Sequence, residues 1–144
     1  MQTTKGTIVF KLYPDVTPIT SANFIKLVAK KFYDGLTFHR VEPGFVIQGG
    51  DPKGNGTGGP GYAIKNEDNK TLRHNRGAVA MANSGTDTAG SQFYIVITKP
   101  ASFLDEKAGS VNKYTIFGQV ISGQDVAEKI TVGDKMTKVT IKNP

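Results

Sequence analysis

Residues 36–51 read LTFHRVEPGFVIQGGD and decide how the rest of the chain is interpreted. Two runs rich in apolar and β-branched residues, 36–41 and 45–48, flank the turn-forming sequence Glu42-Pro43-Gly44. Short runs of this composition on either side of a turn are typical of paired strands. The stretch therefore predicts a β-hairpin, and the segments around it are interpreted from there.

Further strands are predicted on both sides of this hairpin. In 7–13, Ile8, Phe10 and Leu12 alternate with polar residues, as in a half-buried strand. Four more short runs rich in Val, Ile, Phe and Thr lie at 77–82, 93–98, 114–120 and 137–142. Strands thus outnumber helices in the predicted fold.

Two helices are predicted. After Pro14, Thr17 is a candidate N-cap and Pro18 suits the first helical position. The residues that follow place an apolar stripe at helical spacing before the chain turns at Asp34-Gly35; the stripe comprises Phe24, Leu27, Val28 and Phe32. A second helix is predicted at 123–130, where Ser122-Gly123-Gln124-Asp125 has capping-box spacing and Val126, Ala127 and Ile130 form an apolar face.

The order of these elements predicts one domain over residues 1–144. Strands and helices do not alternate, which disfavours a parallel sheet. The alternatives are an antiparallel barrel or a sandwich with two helices packed on it. We favour the closed barrel because closure removes exposed strand edges.

Composition excludes several classes of function. The 144 residues include no cysteine and only two histidines, which excludes a disulfide scaffold and a thiolate nucleophile and predicts no metal site. The net charge is +6, but the basic residues are scattered, so nucleic acid is not expected as the main partner. Residues 1–13 lack a long apolar segment, so neither a signal peptide nor a membrane span is expected, and a cytoplasmic location is predicted.

Two apparent motifs are not supported by their context. Residues 51–61 contain five glycines and two prolines, and Pro60-Gly61 prevents the helix that a dinucleotide fingerprint requires. This segment is expected to be a tight loop beside a site. Ser91 is not in a nucleophile elbow, so a triad with His39 is disfavoured, and Asp105-Glu106 is interpreted as a solvated turn.

The residues of the hairpin are the most informative about chemistry. Alternation within 36–41 puts Arg40 on the same face as Phe38, and Gln48 follows on the neighbouring strand. Fixed donors on an apolar floor suit an uncharged ligand that carries carbonyl groups. The alternative is structural: Arg40 covers core residues with its stem and Gln48 pairs with a loop carbonyl. The pattern alone leaves both interpretations open.

The chain resembles the cyclophilin family of peptidyl-prolyl cis-trans isomerases, especially its short single-domain bacterial type. The resemblance runs along nearly the whole sequence. It is carried by Gly6 to Pro14, Asn23-Phe24, Phe32-Tyr33-Asp34-Gly35, Phe38-His39-Arg40-Val41, Pro43-Gly44-Phe45, Gln48-Gly49-Gly50-Asp51, Gly54-Asn55-Gly56-Thr57-Gly58-Gly59, Met81-Ala82-Asn83, Gly90-Ser91-Gln92-Phe93 and Phe117-Gly118. It implies a closed eight-stranded antiparallel β-barrel capped by two α-helices.

The resemblance also implies an activity and its residues. The activity is rotation about Xaa-Pro bonds in peptides and unfolded chains, with no cofactor or metal and no bond to carbon made or broken. Arg40 corresponds to the family's catalytic arginine. The residues implied in substrate binding are Phe45, Val46, Phe93, Leu104 and Tyr114 around the proline ring, and Gln48, Ala82, Asn83 and Gln92 along the peptide. His39 is interpreted as structural.

Three positions depart from the family pattern. Phe103 replaces a common Trp, and the loss of its indole N–H is expected to weaken binding of cyclosporin-like cyclic peptides. Tyr114 replaces a His frequent in eukaryotic members, and Tyr94 replaces a second Phe after Phe93. Substrate preference, rather than activity, is expected to change.

Three functions remain as hypotheses. The first is the isomerase, the second a proline-peptide-binding or chaperone module with incidental turnover, and the third a basic nucleic-acid-associated domain. A monomer is expected because long apolar patches are scarce.

Overall fold

The computed structural model describes residues 1–67, 71–105 and 113–143, which form a mainly-β fold with two α-helices. The strands are β1 (Gln2–Thr3), β2 (Gly6–Thr7), β3 (Val9–Leu12), β4 (Phe38–Glu42), β5 (Val46–Gly49), β6 (Ala78–Met81), β7 (Phe93–Val96), β8 (Ile116–Ser122) and β9 (Met136–Lys138). The helices are α1 (Pro18–Ala29) and α2 (Gln124–Lys129), with a 3₁₀ turn at Ser102–Leu104. No helix in the described ranges is long and apolar enough to cross a membrane.

All strand pairs of the two sheets are antiparallel. The larger sheet has the order β3-β8-β6-β7-β5-β4, and the smaller one β2-β1-β9. The predicted hairpin is β4–β5, with Val41 opposite Ile47. Predicted strands at 7–13, 77–82, 93–98, 114–120 and 137–142 are present with shorter or shifted bounds, and β1 was not predicted.

The two sheets are linked on both sides. Only Ile8 separates β2 from β3, so one extended run belongs to both sheets. On the other side, Thr37 and Lys135 form an isolated bridge, and the Phe38 N–H donates to the Asp134 carbonyl at 2.8 Å. Counting β2 and β3 as one strand gives eight strand positions. The prediction of a mainly-β, helix-capped fold is confirmed, although the link between β4 and β9 is a bridge rather than a continuous ladder.

Strand alternation divides the buried side chains into two clusters. Phe93 and Ile95 of β7 point into the interior cluster, where Phe24 of α1 contacts Phe93 with ring centroids 5.8 Å apart. Tyr94 and Val96 point to the opposite face, in a smaller cluster covered by the chain around residues 101–104. The interior cluster holds the fold together, and the smaller one forms the base of the site described below.

Helix α1 begins at Pro18 as predicted, but its N-terminus is capped from a distance. The Thr17 side chain makes no capping bond and donates instead to the Tyr13 carbonyl at 3.0 Å. The Glu67 carboxylate accepts hydrogen bonds from the N–H groups of Ile19 and Thr20, both at 2.8 Å. A carboxylate there also interacts favourably with the positive end of the helix dipole.

The capping box predicted for the second helix is wrong. Ser122 is the last residue of β8, and Gly123 is the N-cap with φ of 83° and no side-chain bond. A β-carbon at Gly123 would overlap the Thr7 carbonyl oxygen. Glycine is required here by both the left-handed backbone and the close approach of β2.

Candidate active site

A β-bulge in β4 directs Arg40 to the outer face of the larger sheet. Phe38 is opposite Gly49 and Arg40 is opposite Gln48, so His39 is an additional residue without a partner in β5. Phe38 is fully buried in the interior, whereas Arg40 is exposed on the outer surface. The prediction that Phe38 and Arg40 share a face is therefore wrong, because an inserted residue reverses the alternation.

Arg40 lies at the edge of an apolar pocket of about 320 Å³ on the outer face of the larger sheet. The lining residues are Arg40, Phe45, Val46, Gln48, Ala82, Asn83, Tyr94, Phe103, Leu104 and Tyr114. Eight of the ten residues assigned to catalysis or substrate binding from the sequence are in this set, together with Phe103, to which inhibitor binding was assigned. We call it the apolar pocket.

Phe93 does not line the apolar pocket. Its ring is fully buried in the interior cluster, packed against Phe24 and Tyr33. Its neighbour Tyr94 takes the position expected for Phe93, because consecutive strand residues face opposite sides of a sheet. The assignment of Phe93 to the pocket is thus corrected to Tyr94.

Hydrogen bonds join Arg40 to a row of amide side chains. Arg40 Nη1 donates to Gln48 Oε1 at 3.2 Å, and Gln48 Nε2 donates to Gln92 Oε1 at 3.1 Å. Gln92 Nε2 in turn donates to the carbonyls of Gly56 and Gly58, at 3.0 and 2.9 Å. Each amide is thereby oriented by its neighbours. Gln92 therefore reaches the site through this row, although it does not line the apolar pocket itself.

The loop that ends this row is held by a buried carboxylate. Asp51 accepts backbone N–H bonds from Lys53, Asn55 and Gly56, at 2.8, 3.1 and 2.5 Å. Burial acts to raise the pKa of Asp51, but these bonds and one from Gly58 outweigh it, and the pKa is lowered. The charged carboxylate thus fixes the carbonyls that position Gln92.

A second, more polar groove adjoins the apolar pocket. Its volume is about 370 Å³, and it shares Gln48, Ala82 and Asn83 with the apolar pocket. Its other sides are formed by residues 56–62, by Thr88 and by residues 90–92. The glycine-rich loop therefore flanks the site, as the sequence predicted.

A buried Asp-His-Tyr chain lies behind the pocket wall. Asp105 Oδ1 is 2.8 Å from His74 Nδ1, and His74 Nε2 is 2.7 Å from the Tyr94 hydroxyl. Burial lowers the pKa of His74 despite the opposing effect of Asp105, and burial raises the pKa of Tyr94. The interpretation of Asp105 as part of a solvated turn is wrong, and Glu106 lies outside the described residues. Nothing local in the sequence indicates this chain, since His74 and Asp105 are 31 positions apart.

A serine hydrolase site is not present at Ser91. Its side chain is buried, and its hydroxyl donates to the Gly50 carbonyl at 2.7 Å. His39 is half-buried near the Gly56 loop, with burial lowering its pKa, and it does not line the apolar pocket. Among the described residues, no group of three or more His, Cys, Asp or Glu side chains could hold a metal ion.

Comparisons with known proteins agree with this geometry. The family model for cyclophilin-type peptidyl-prolyl cis-trans isomerases matches residues 1–144. The chain is 50% identical over 136 residues to peptidyl-prolyl cis-trans isomerase B of Bacillus subtilis, covering 94% of this chain and 90% of that protein. It is 44% identical over 143 residues to a peptidyl-prolyl cis-trans isomerase of Synechococcus elongatus, covering 98% and 93%.

A solved structure is similar over most of the chain. It is a cyclophilin-type peptidyl-prolyl cis-trans isomerase of Cryptosporidium parvum, crystallised in the presence of the dipeptide Ala-Pro. The TM-score is 0.81 at 30% sequence identity, covering 94% of this chain and 89% of that one. The fold and the sequence therefore point to one family.

Proposed function

Because the chain belongs to the family of cyclophilin-type peptidyl-prolyl cis-trans isomerases and is itself such an isomerase, we propose that the reaction takes place at the apolar pocket with Arg40 as the catalytic residue. The proline ring of the substrate occupies the pocket. The peptide continues into the polar groove along Gln48, Ala82 and Asn83. The observation that carries the proposal is a guanidinium held at the edge of a pocket with apolar walls.

The chemical requirement is modest. Rotation about an Xaa-Pro bond interrupts amide resonance, with an uncatalysed barrier of about 18–20 kcal/mol. Midway through rotation the prolyl nitrogen regains its lone pair and the carbonyl loses conjugation. A catalyst needs a donor placed where this electron density develops and a surface that fits the twisted amide. No bond to carbon forms or breaks, and members of this family need no cofactor.

Arg40 is suited to this role because its charge is permanent and because hydrogen bonds hold its side chain in place. A guanidinium stays protonated and presents donors in a rigid fork. Gln48 occupies Nη1 at 3.2 Å and Glu42 is 3.4 Å from Nε, which leaves further N–H groups for the substrate. Because the donor is positioned before the substrate arrives, little reorganisation is needed during rotation.

The pocket walls supply a different contribution. Phe45, Val46 and Leu104 offer apolar surface to a proline ring, and Tyr114 packs edge-on against Tyr94 with centroids 5.9 Å apart. These contacts hold the ring in the cis, trans and twisted states alike. They therefore support binding, whereas Arg40 acts on the twisted state.

The partners follow from this chemistry. We propose proline-containing segments of unfolded chains as substrates of a single domain spanning residues 1–144, acting as a monomer in the cytoplasm. Nucleic acid is not among the proposed partners. Size-exclusion chromatography of the purified protein tests the monomer, and retention on nucleic acid at about 0.15 M salt would contradict the last expectation.

The decisive experiment compares the wild-type protein with Arg40→Ala by NMR exchange spectroscopy on a short Xaa-Pro peptide. We expect the wild type to accelerate cis-trans exchange and the folded variant to lose at least about 100-fold of that acceleration while still binding peptide. If Arg40→Ala retains full exchange activity, the catalytic assignment fails. If the variant keeps its cellular role without turnover, the protein acts as a peptide-binding or chaperone module.

A further inference from the structure

The segment 101–105 at the rim of the apolar pocket is anchored to one buried residue, His74. The His74 carbonyl accepts a hydrogen bond from the Ala101 N–H at 2.8 Å. The His74 backbone N–H and ring Nδ1 both lie within 2.9 Å of Asp105 Oδ1. The pocket residues Phe103 and Leu104 lie between these two anchors. His74 therefore fixes both ends of the rim.

The same imidazole also contacts Tyr94, which lines the apolar pocket. Since a carboxylate only accepts hydrogen bonds, Nδ1 of neutral His74 carries the proton and Nε2 accepts. The Tyr94 hydroxyl, 2.7 Å away, is then the donor to Nε2. Its bond to His74 directs the hydroxyl away from the apolar pocket and leaves the ring as pocket wall. The side chains of His74 and Tyr94 are almost completely buried.

We propose that His74 is a positioning residue for the isomerase, joining the Tyr94 wall to the Phe103–Leu104 rim so that the pocket keeps a width that fits a proline ring. The inference rests on the proposed function, because it assigns the pocket to the proline ring. Tyr94 and Asp105 are the two residues that hydrogen-bond to the His74 ring, one at each ring nitrogen. The row formed by Arg40, Gln48 and Gln92 orients the donor, and the His74 chain shapes the cavity.

Loss of the His74 contacts and loss of the Arg40 donor are expected to have different kinetic consequences. A pocket that loses its shape binds every rotational state of the substrate less well, so KM rises while kcat stays nearly constant. Loss of the Arg40 donor lowers kcat, because that contact acts on the twisted amide. A residue that merely supports the fold would reduce stability without changing KM in the folded protein.

The test uses Tyr94→Phe and Asp105→Ala in the full chain, with KM and kcat measured on a proline tetrapeptide. We expect Tyr94→Phe to raise KM about fivefold, the equivalent of one lost hydrogen bond, and Asp105→Ala to raise it at least as much because two bonds to His74 are lost, with kcat within about twofold in both. In the double variant, KM is expected to rise by a similar factor rather than by the product of the two single effects, because Tyr94 and Asp105 both act through the His74 imidazole. Asp105→Asn, which keeps an acceptor oxygen, is expected to give a smaller rise.

Tyr33→Phe is the matched control. It removes the same atom from another buried tyrosine, whose hydroxyl donates to the Ser91 carbonyl at 2.9 Å in the interior. This variant is expected to lose stability but keep the wild-type KM. Leucine-methyl NMR of Leu104 reports the rim directly, and its signal is expected to shift in Tyr94→Phe and Asp105→Ala only.

The outcomes separate this inference from the proposed function. Peptide affinity is also measured by NMR titration, which does not depend on turnover. If folded Tyr94→Phe has the wild-type affinity and KM, the inference is overturned, even where Asp105→Ala fails to fold. A fall in kcat with KM unchanged also overturns it. If Arg40→Ala keeps full activity, the catalytic assignment fails while the affinities still decide the role of His74.

Discussion

Arg40 and Gln48 face each other across the β4–β5 hairpin, with the guanidinium Nη1 donating to the amide oxygen of Gln48 at 3.2 Å. The amide nitrogen of Gln48 remains free to donate to Gln92 at 3.1 Å. Gln48 can hold both neighbours because its amide carries an acceptor oxygen and a donor nitrogen. Arg40 and Gln48 thus belong to one row of hydrogen-bonded side chains on the outer surface.

Replacing Arg40 by Lys tests whether the fork geometry matters as well as the charge. An ammonium group is a point charge and cannot present the rigid set of donors of a guanidinium. We expect Arg40→Lys to fold normally and to lose at least about tenfold in kcat. The measurement is cis-trans exchange of a proline peptide under saturating conditions.

Arg76→Lys is the control for this substitution. Arg76 pairs with Glu128 at 2.6 Å and does not line the apolar pocket or the polar groove. The same chemical change there is expected to leave exchange activity within about twofold, since partly exposed ion pairs contribute little. Equal activity of both variants and the wild type would show that charge alone suffices at Arg40.

Helix α1 is expected to depend on Glu67, which lies 48 and 47 positions along the chain from Ile19 and Thr20, the two residues whose N–H groups donate to it. Glu67→Ala removes both acceptor oxygens from the N-terminus and is expected to cost about 1–2 kcal/mol in the free energy of unfolding. Glu67→Gln keeps one acceptor oxygen and is expected to cost roughly half as much. Urea denaturation measures both, and equal stability of the two variants would contradict capping by the carboxylate.

Periodicity predicted both helices and most of the strands, but not β1 or the details of the helix ends. The stripe of Phe24, Leu27 and Val28 predicted α1, and all three residues are buried. The cap from Glu67 could not be predicted, because it depends on a contact between distant segments. The left-handed Gly123 is explained by the approach of Thr7, another long-range contact.

In the candidate site, too, some features could be predicted from the sequence and others could not. Resemblance placed Arg40 and Gln48 together, and they are in contact. Alternation alone placed Arg40 on the face of Phe38, because a bulge at His39 leaves no mark in a single sequence. Nor can alternation decide which of Phe93 and Tyr94 faces the pocket without the register of the neighbouring strands.

The stability of the protein is expected to depend on pH through Asp51. Its pKa is below the ordinary value of 3.8, so its contribution is complete above that value and is lost as the pH falls through the folded-state pKa. Asp51→Asn is expected to cost about 1–3 kcal/mol at pH 7, where charged hydrogen bonds to the loop are lost. The difference from wild type should shrink at about pH 3, below the ordinary value of 3.8, because the unfolded wild-type chain then takes up a proton at Asp51 and becomes more favourable. Urea unfolding at both pH values measures this, and a difference of equal size at both would contradict it.

The rim residue Phe103 is expected to control binding of cyclosporin-like cyclic peptides. Its ring is 75% exposed and lies 5.1 Å from the ring of Phe45, at the edge of the apolar pocket. Phe103→Trp keeps the aromatic contact and adds an indole N–H that can donate to a peptide carbonyl. We expect the affinity for cyclosporin to rise about fivefold, measured by isothermal titration calorimetry.

Phe103→Leu separates the hydrogen bond from the apolar contact. It keeps apolar surface at the rim but removes the ring and adds no donor, so its affinity for cyclosporin is expected to stay at or below that of the wild type. The kcat for a short proline peptide should change little in either variant, because Arg40 is intact. If Phe103→Trp and the wild type bind cyclosporin equally, the missing donor is not what limits affinity for the inhibitor.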